Sequence, residues 1–185
     1  MQTFIALLRG INVGKAKRVA MADLRDLMTG LGYSDVATLL NSGNVVFRAA
    51  KGTRVTLAAE IAGAISTNLK VDVPVIVKSA RNLTAIVSEN PLAGKASDHS
   101  RLLVAFVQDK KALSDLAAIG PLVVPPEQFA VGNNAAYLYC VSGILGSKAG
   151  EALLKAGRLA TTRNWATVLK LQALASKSTS NRSPE

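Results

Sequence analysis

Sulfur and imidazole are almost missing from this chain of 185 residues. A single cysteine, Cys140, excludes an internal disulfide, and its place in the apolar run YLYC argues against a reactive thiolate. A single histidine, His99, sits in the polar stretch SDHSR as a surface side chain. With one His and one Cys far apart, a zinc centre of the usual ligands is excluded. No G-x-S-x-G occurs, so nothing supports a nucleophile elbow. Aromatic rings are few, one Trp, three Tyr and four Phe, which leaves little material for a platform that stacks single-stranded bases. Long apolar runs are missing too. FIALL stops at Arg9, and no segment reaches about 18 uninterrupted apolar residues, so neither a signal-peptide core nor a membrane span is expected. Acidic residues are scattered singly apart from Asp23 and Asp26, which gives a two-carboxylate or magnesium centre weak support. These absences predict a cytoplasmic chain in a reducing compartment, with no metal, no cofactor and no membrane partner.

What is present is an ordinary globular interior and an excess of positive charge. Hydrophobic residues make up 49% and charged residues 18%, enough for one large domain or two small ones. The formal charge is +10, from 22 Lys and Arg against 12 Asp and Glu. Such an excess favours polyanions or phosphorylated small molecules. It is diffuse, however, with cations outnumbering acids 6 to 3 in residues 1–50 and 7 to 2 in residues 141–185, and no dense block.

Periodicity over the first eighty residues predicts β-α-β-β-α-β. TFIALLR, VATLL, NVVFR and VPVIVK read as strands. Met21, Leu24, Leu27, Met28 and Leu31 form one apolar helical face that Gly32 can terminate. Leu57, Ile61, Ile65 and Leu69 repeat every four residues as a second helix. This pattern predicts an α+β class with a ferredoxin-like lobe over residues 1–80, a four-stranded antiparallel sheet with both helices on one face. A connector over 81–100 follows, in which Ser79 can cap a short helix through Leu83 and Ile86. A second, smaller α+β lobe with C-terminal helices is expected over 101–176. It holds a strand RLLVAFVQ, a helix through Leu113 and Leu116 ending at Gly120–Pro121, a hairpin EQFAVGNNAAYLYC, and helices around 147–156 and 163–175. Residues 177–185 read as a polar tail.

The segment LLRGINVGKAKR imitates a phosphate loop without being one. A Walker A loop needs G-x-x-x-x-G-K-[ST]. Here Gly10 and Gly14 are one residue too close, and Ala16 stands where the magnesium-bound hydroxyl belongs. The twelve residues from Arg9 to Ala20 nevertheless exceed the two to six usual between a strand and a helix, and long ordered loops are favoured places for function. Arg9, Asn12, Lys15, Lys17 and Arg18, with Gly10 and Gly14 admitting close backbone approach, suit an anion.

The segments ALLRGINVG, MADLRDLMTGLGYSDVATLLNSGNVVF, NPL and TTRNWATVLKL resemble the bacterial family catalogued as domain of unknown function 1697. The resemblance runs from Thr3 to about Ala175. It implies an α+β protein with a ferredoxin-like N-terminal part, and it implies no activity. The chain departs from the family pattern at Lys15, Ala20 and Ala166, positions often occupied by glycine, proline and a polar residue.

Two further candidates lie elsewhere. Thr161 or Thr162 is read as N-cap of a last helix on which Arg163, Thr167 and Lys170, at offsets 0, 4 and 7, share a face. Arg163, Asn164 and Lys170 then make an anion clamp at a helix start, with Trp165 in the core. The turn NSGN, with Ser42 and Asn44, offers hydroxyl and amide groups, and whether it meets the first loop is left open by sequence. The expected function is binding of a small phosphate- or carboxylate-bearing ligand by the loop and the last helix, with no reaction assignable and the oligomeric state open. The alternative is a module that grips a nucleic-acid backbone, RNA or DNA.

Overall fold

The computed structural model describes residues 1–14, 17–157 and 160–180, and of Ser180 the backbone alone. The described residues form an α+β chain of two compact units, residues 1–80 with the chain from Leu171 onward, and residues 81–170.

In the first unit β1 (Gln2–Leu8) is followed by α1 (Met21–Gly30), β2 (Ser34–Leu39), β3 (Asn44–Ala49), α2 (Arg54–Ala64) and β4 (Val75–Ser79). The sheet is antiparallel in the order β2-β3-β1-β4. Side chains alternate across β1, so Phe4, Ala6 and Leu8 enter one core together with Leu24 and Met28 of α1 and Leu57, Ala58 and Ile61 of α2. Both helices therefore cover the same face. Each fully buried Leu, Ile or Phe there contributes about 1.5–3 kcal/mol. Thr3, Ile5 and Leu7 on the opposite face are buried as well. Gly32, at φ +84, ends α1 as its position in the sequence suggests. Thr53 and Thr56 close a reciprocal capping box at the start of α2. Beyond Ala64 the helix widens into a π turn, Ile65–Leu69. A strict four-residue repeat drifts around an α-helix of 3.6 residues per turn, and the wider turn keeps Leu69 packed against the core.

The second unit opens with α3 (Ala80–Ser88) and continues through β5 (Leu102–Val107), α4 (Lys110–Asp115), a 3-10 segment Leu116–Leu122, β6 (Gln128–Val131), β7 (Ala135–Tyr139), α5 (Lys148–Lys155), β8 (Ala160–Asn164) and α6 (Trp165–Ser180). From β5 onward the order β-α-β-β-α-β recurs, and the sheet order β6-β7-β5-β8 repeats that of the first unit. Leu103, Ala105, Val107, Ala136 and Leu138 face the core completed by Leu113, Leu116, Ala149 and Leu153. Residues 81–100 are grouped with this unit, and the part of α6 from Leu171 with the first.

The end of the chain departs from expectation. Residues 160–164 are a strand paired with β5, with Arg163 opposite Val104, so Arg163 and Asn164 do not lie on the last helix. The cap of that helix is not Thr161 or Thr162, because the Asn164 side chain accepts from the Thr167 backbone N–H at 2.9 Å. The helical offsets misled because Thr161 and Arg163 are polar residues on a buried strand face. A hydrophobic period of two is therefore invisible there. The helix also continues through Ser180, so residues 177–180 are not a loose tail, while 181–185 lie outside the described residues.

Candidate functional site

The loop after β1 is held in shape by one amide. Asn12, at φ +55, adopts the left-handed conformation that asparagine tolerates better than most residues. Its Nδ2 donates to the carbonyls of Val19 and Asn41, each at 2.8 Å, and its Oδ1 accepts from the Val19 N–H at 2.9 Å. Its backbone N–H donates to Lys17 O at 3.1 Å. The side chain is thus spent on backbone groups. Gly10 and Gly14, at φ +66 and +60, also need the left-handed region, and nothing lies within 4 Å of where a Cβ would stand at either. Lys17 sends its ammonium to Asp72 O at 2.8 Å. The predicted ligand residue Lys15 lies outside the described residues.

The NSGN turn meets this loop. The Asn12–Asn41 hydrogen bond joins them, and Gly43 lies directly over Leu8 and Ile11, where a Cβ would approach Leu8 Cβ to 2.6 Å. Gly43 O accepts from the Leu8 N–H at 2.8 Å. Asn44 is fully buried, and its amide donates to Leu39 O and to the Ser42 hydroxyl, each at 2.9 Å. Arg9 leaves the strand with its N–H on Pro74 O at 3.0 Å, and burial pushes its half-covered guanidinium down from the ordinary arginine value.

Beside the clamp lies a surface pocket of about 370 Å³ lined by Asn12, Arg18, Val19, Ala20, Met21 and Asn41. It opens at the start of α1. The N-cap there is Ala20, which offers no side-chain acceptor. The Leu24 N–H reaches Ala20 O, and the three amides before it belong to the first turn, where a helix leaves its donors unsatisfied. By contrast α2, α4, α5 and α6 have Thr53, Asp109, Ser147 and Asn164 in that capping role. Arg18 is exposed at the rim and supplies positive charge. Asp23 in the first turn is the one opposing group that the helix carries there. From sequence, Arg18 counts only among the loop cations and Asn41 only as the first residue of the NSGN turn, neither as an individual ligand. The usable signal was a cation two residues before an alanine N-cap.

A model of the family described as protein of unknown function (DUF1697) matches residues 1–137. The chain belongs to that family. The DUF1697 match covers the whole first sheet, the loop and the pocket, and it ends within β7. Among solved structures, a conserved bacterial protein from Streptococcus pneumoniae is similar over 94% of this chain and 98% of its own, at 24% identity and a TM-score of 0.73. At that identity the likeness is one of fold. No curated protein matches the chain.

The remaining predicted residues, Arg163, Asn164 and Lys170, lie in the second unit, beyond the DUF1697 match. Arg163 is buried in β8, where its guanidinium donates to Thr161 Oγ1 at 2.9 Å and to Thr162 O at 2.7 Å. Burial lowers it to about 10, because the low-polarity surroundings disfavour the charged form. Asn164 is committed as the cap of α6, and Lys170 is exposed one turn further on. Loop and NSGN turn therefore form one constellation in the first unit, whereas these three residues belong to the other.

Elsewhere in the second unit the Glu89 carboxylate accepts from the Asn134 N–H at 2.9 Å, from the Asn134 amide at 3.0 Å and from the Tyr137 hydroxyl at 3.1 Å, fastening the β6–β7 turn to the end of α3. Cys140 is buried, and burial raises its thiol. Among the described residues no group of three His, Cys, Asp or Glu could hold a metal ion, and no helix is long and apolar enough to cross a membrane.

Proposed function

We propose that the first unit binds a small phosphate- or carboxylate-bearing molecule in the pocket at the start of α1. The observation that carries this reading is the coincidence there of a cavity of about 370 Å³, a helix start whose N-cap is an alanine, and the guanidinium of Arg18. Free amides at a helix N-terminus point at a bound anion, and the helix dipole favours negative charge. An Arg adds a planar donor pair suited to a carboxylate or phosphate edge. In this reading Asn12, Gly10, Gly14 and the NSGN turn, with Ser42 and Asn44, are the frame that holds the donors in place. Arg9 and the loop lysines Lys15 and Lys17 supply background potential. The reading assigns no reaction and does not draw on Arg163, Asn164 or Lys170.

The test is thermal unfolding with inorganic phosphate against sodium chloride at equal ionic strength. Ligand at about 100 times its dissociation constant adds about 2.7 kcal/mol, a rise on the order of 5 °C for a chain of this size. Arg18→Ala should abolish that rise and leave the ligand-free melting temperature unchanged. An equal rise in both proteins, or none in the parent, would overturn the reading. The nucleic-acid alternative draws on the net charge of +10. It expects affinity for generic duplex to fall steeply with salt, whether or not phosphate itself has any effect.

A further inference from the structure

We propose that two copies of this chain associate through the open edge of β6, pairing antiparallel across a twofold axis at Ala130. β6 is one of the two terminal strands of its sheet, β8 being the other. The Gly132 N–H donates to Ala135 O at 2.9 Å, which fixes the phase of the β6–β7 ladder. Hydrogen-bonded and non-bonded pairs alternate along antiparallel strands, so Ala130 and Gln128 also exchange bonds with β7. Phe129 and Val131 therefore direct their N–H and C=O groups to the open side. One register uses all four of those groups. It sets Phe129 opposite Val131 of the second copy and Val131 opposite its Phe129, which places the axis at Ala130 and makes the edge complementary to itself.

Charge argues for a second copy as the occupant. Two molecules at +10 repel, so a surface poor in charge is the favourable place for them to meet. From Leu116 to Ser147 the sole charged residue is Glu127. In the register above Glu127 falls opposite Asn133 of the second copy rather than its own counterpart. Within the same segment Leu122, Val124 and Val131 are 39%, 59% and 42% exposed, which leaves apolar area for a second copy to cover. The β2 edge of the other sheet is guarded, because β2 has a register shift between Ser34 and Ala37 and carries Asp35, paired to Arg48 at 3.2 Å. Such bulges and charges are the usual devices against edge-to-edge pairing, and β6 has neither.

Sedimentation equilibrium of the full chain between about 1 μM and 1 mM tests this. The expected result is a monomer–dimer equilibrium that Val131→Lys weakens by about tenfold or more, with an unchanged circular dichroism spectrum. Val131→Pro should act likewise, since the N–H it removes points outward rather than into the β6–β7 ladder. If that variant fails to fold, Val131→Lys decides. Ala130→Cys should give a disulfide-linked dimer under oxidised glutathione, because a non-hydrogen-bonded antiparallel pair holds its Cα atoms about 4.5 Å apart. The parent, whose Cys140 is buried, should not cross-link. A parent that stays monomeric throughout, or a dimer indifferent to Val131→Lys and not linked by Ala130→Cys, would overturn the proposal.

Discussion

Asn12 joins three backbone groups through one side chain, and Gly43 lets two loops touch. These two residues decide whether the region around the pocket has a shape at all. Asn12→Ala leaves the Val19 N–H and the carbonyls of Val19 and Asn41 without partners, and each unsatisfied group that stays buried costs about 1–3 kcal/mol. Gly43→Ala places a methyl group 2.6 Å from Leu8 Cβ on a backbone already at φ +74. Forcing extra carbon into a packed contact costs about 1–3 kcal/mol before the backbone strain is added. Chemical denaturation of both variants should show losses of that order. Gly10→Ala, where a Cβ meets nothing, should lose only the smaller conformational term. Equal losses at Gly10 and Gly43 would contradict the packing argument.

At the scale of elements, the end of the second unit turns on Asn164. It closes β8, opposite Leu103, and opens α6 by accepting from the Thr167 N–H. Replacing such a cap with alanine removes about 1 kcal/mol. Asn164→Ala should therefore lower stability by roughly that amount. Thr162→Ala, at a half-buried strand position that the helical reading made the cap, should lower it by less than Asn164→Ala does. The reverse ranking in urea unfolding would restore the helical reading of residues 161–164. The capped helices also set α1 apart, since its alanine cap leaves first-turn donors for water or a ligand.

For the whole molecule, each unit buries a phenol against a carboxylate. The Tyr33 hydroxyl donates to Glu60 at 2.6 Å, and Tyr137 lies beside Glu89. Both phenols are raised above the ordinary value of 10.0, first by burial and then by the neighbouring carboxylate. The folded state keeps these protons after the unfolded state has released them. Stability contributed by the two groups is therefore complete below pH 10 and declines as pH rises above it. Arg163 has the opposite sign. Its folded form sheds a proton at about 10, before its unfolded form does, so the cost of burying that charge is relieved and stability from this group grows as pH rises past 10. Phenolate absorbance is thus a cleaner readout than melting temperature. In a titration, Tyr33 and Tyr137 should ionise only together with loss of the near-ultraviolet circular dichroism, and Tyr137→Phe should remove one of the late-titrating groups. Ionisation of Tyr33 and Tyr137 near 10 in the folded chain would contradict it.

The sequence alone determined the elements whose burial is apolar and regular. The short apolar runs of β1 and β3, the Met21–Leu31 face and the Gly132–Asn134 turn are local consequences of side-chain pattern and backbone preference, so they could be read without coordinates. The family was legible for the same reason, since its motifs are contiguous. β8 was not legible, because Thr161 and Arg163 turn polar groups inward, and only pairing with β5 makes that arrangement stable. Tertiary structure alone decided that the NSGN turn lies on the first loop, that Arg18 and Asn41 border one pocket, and that Phe129 and Val131 face an open edge. Those facts depend on which strand ends are neighbours and on the phase of a ladder. Both are set by strand order, and strand order is a property of long-range contacts that local spacing does not encode.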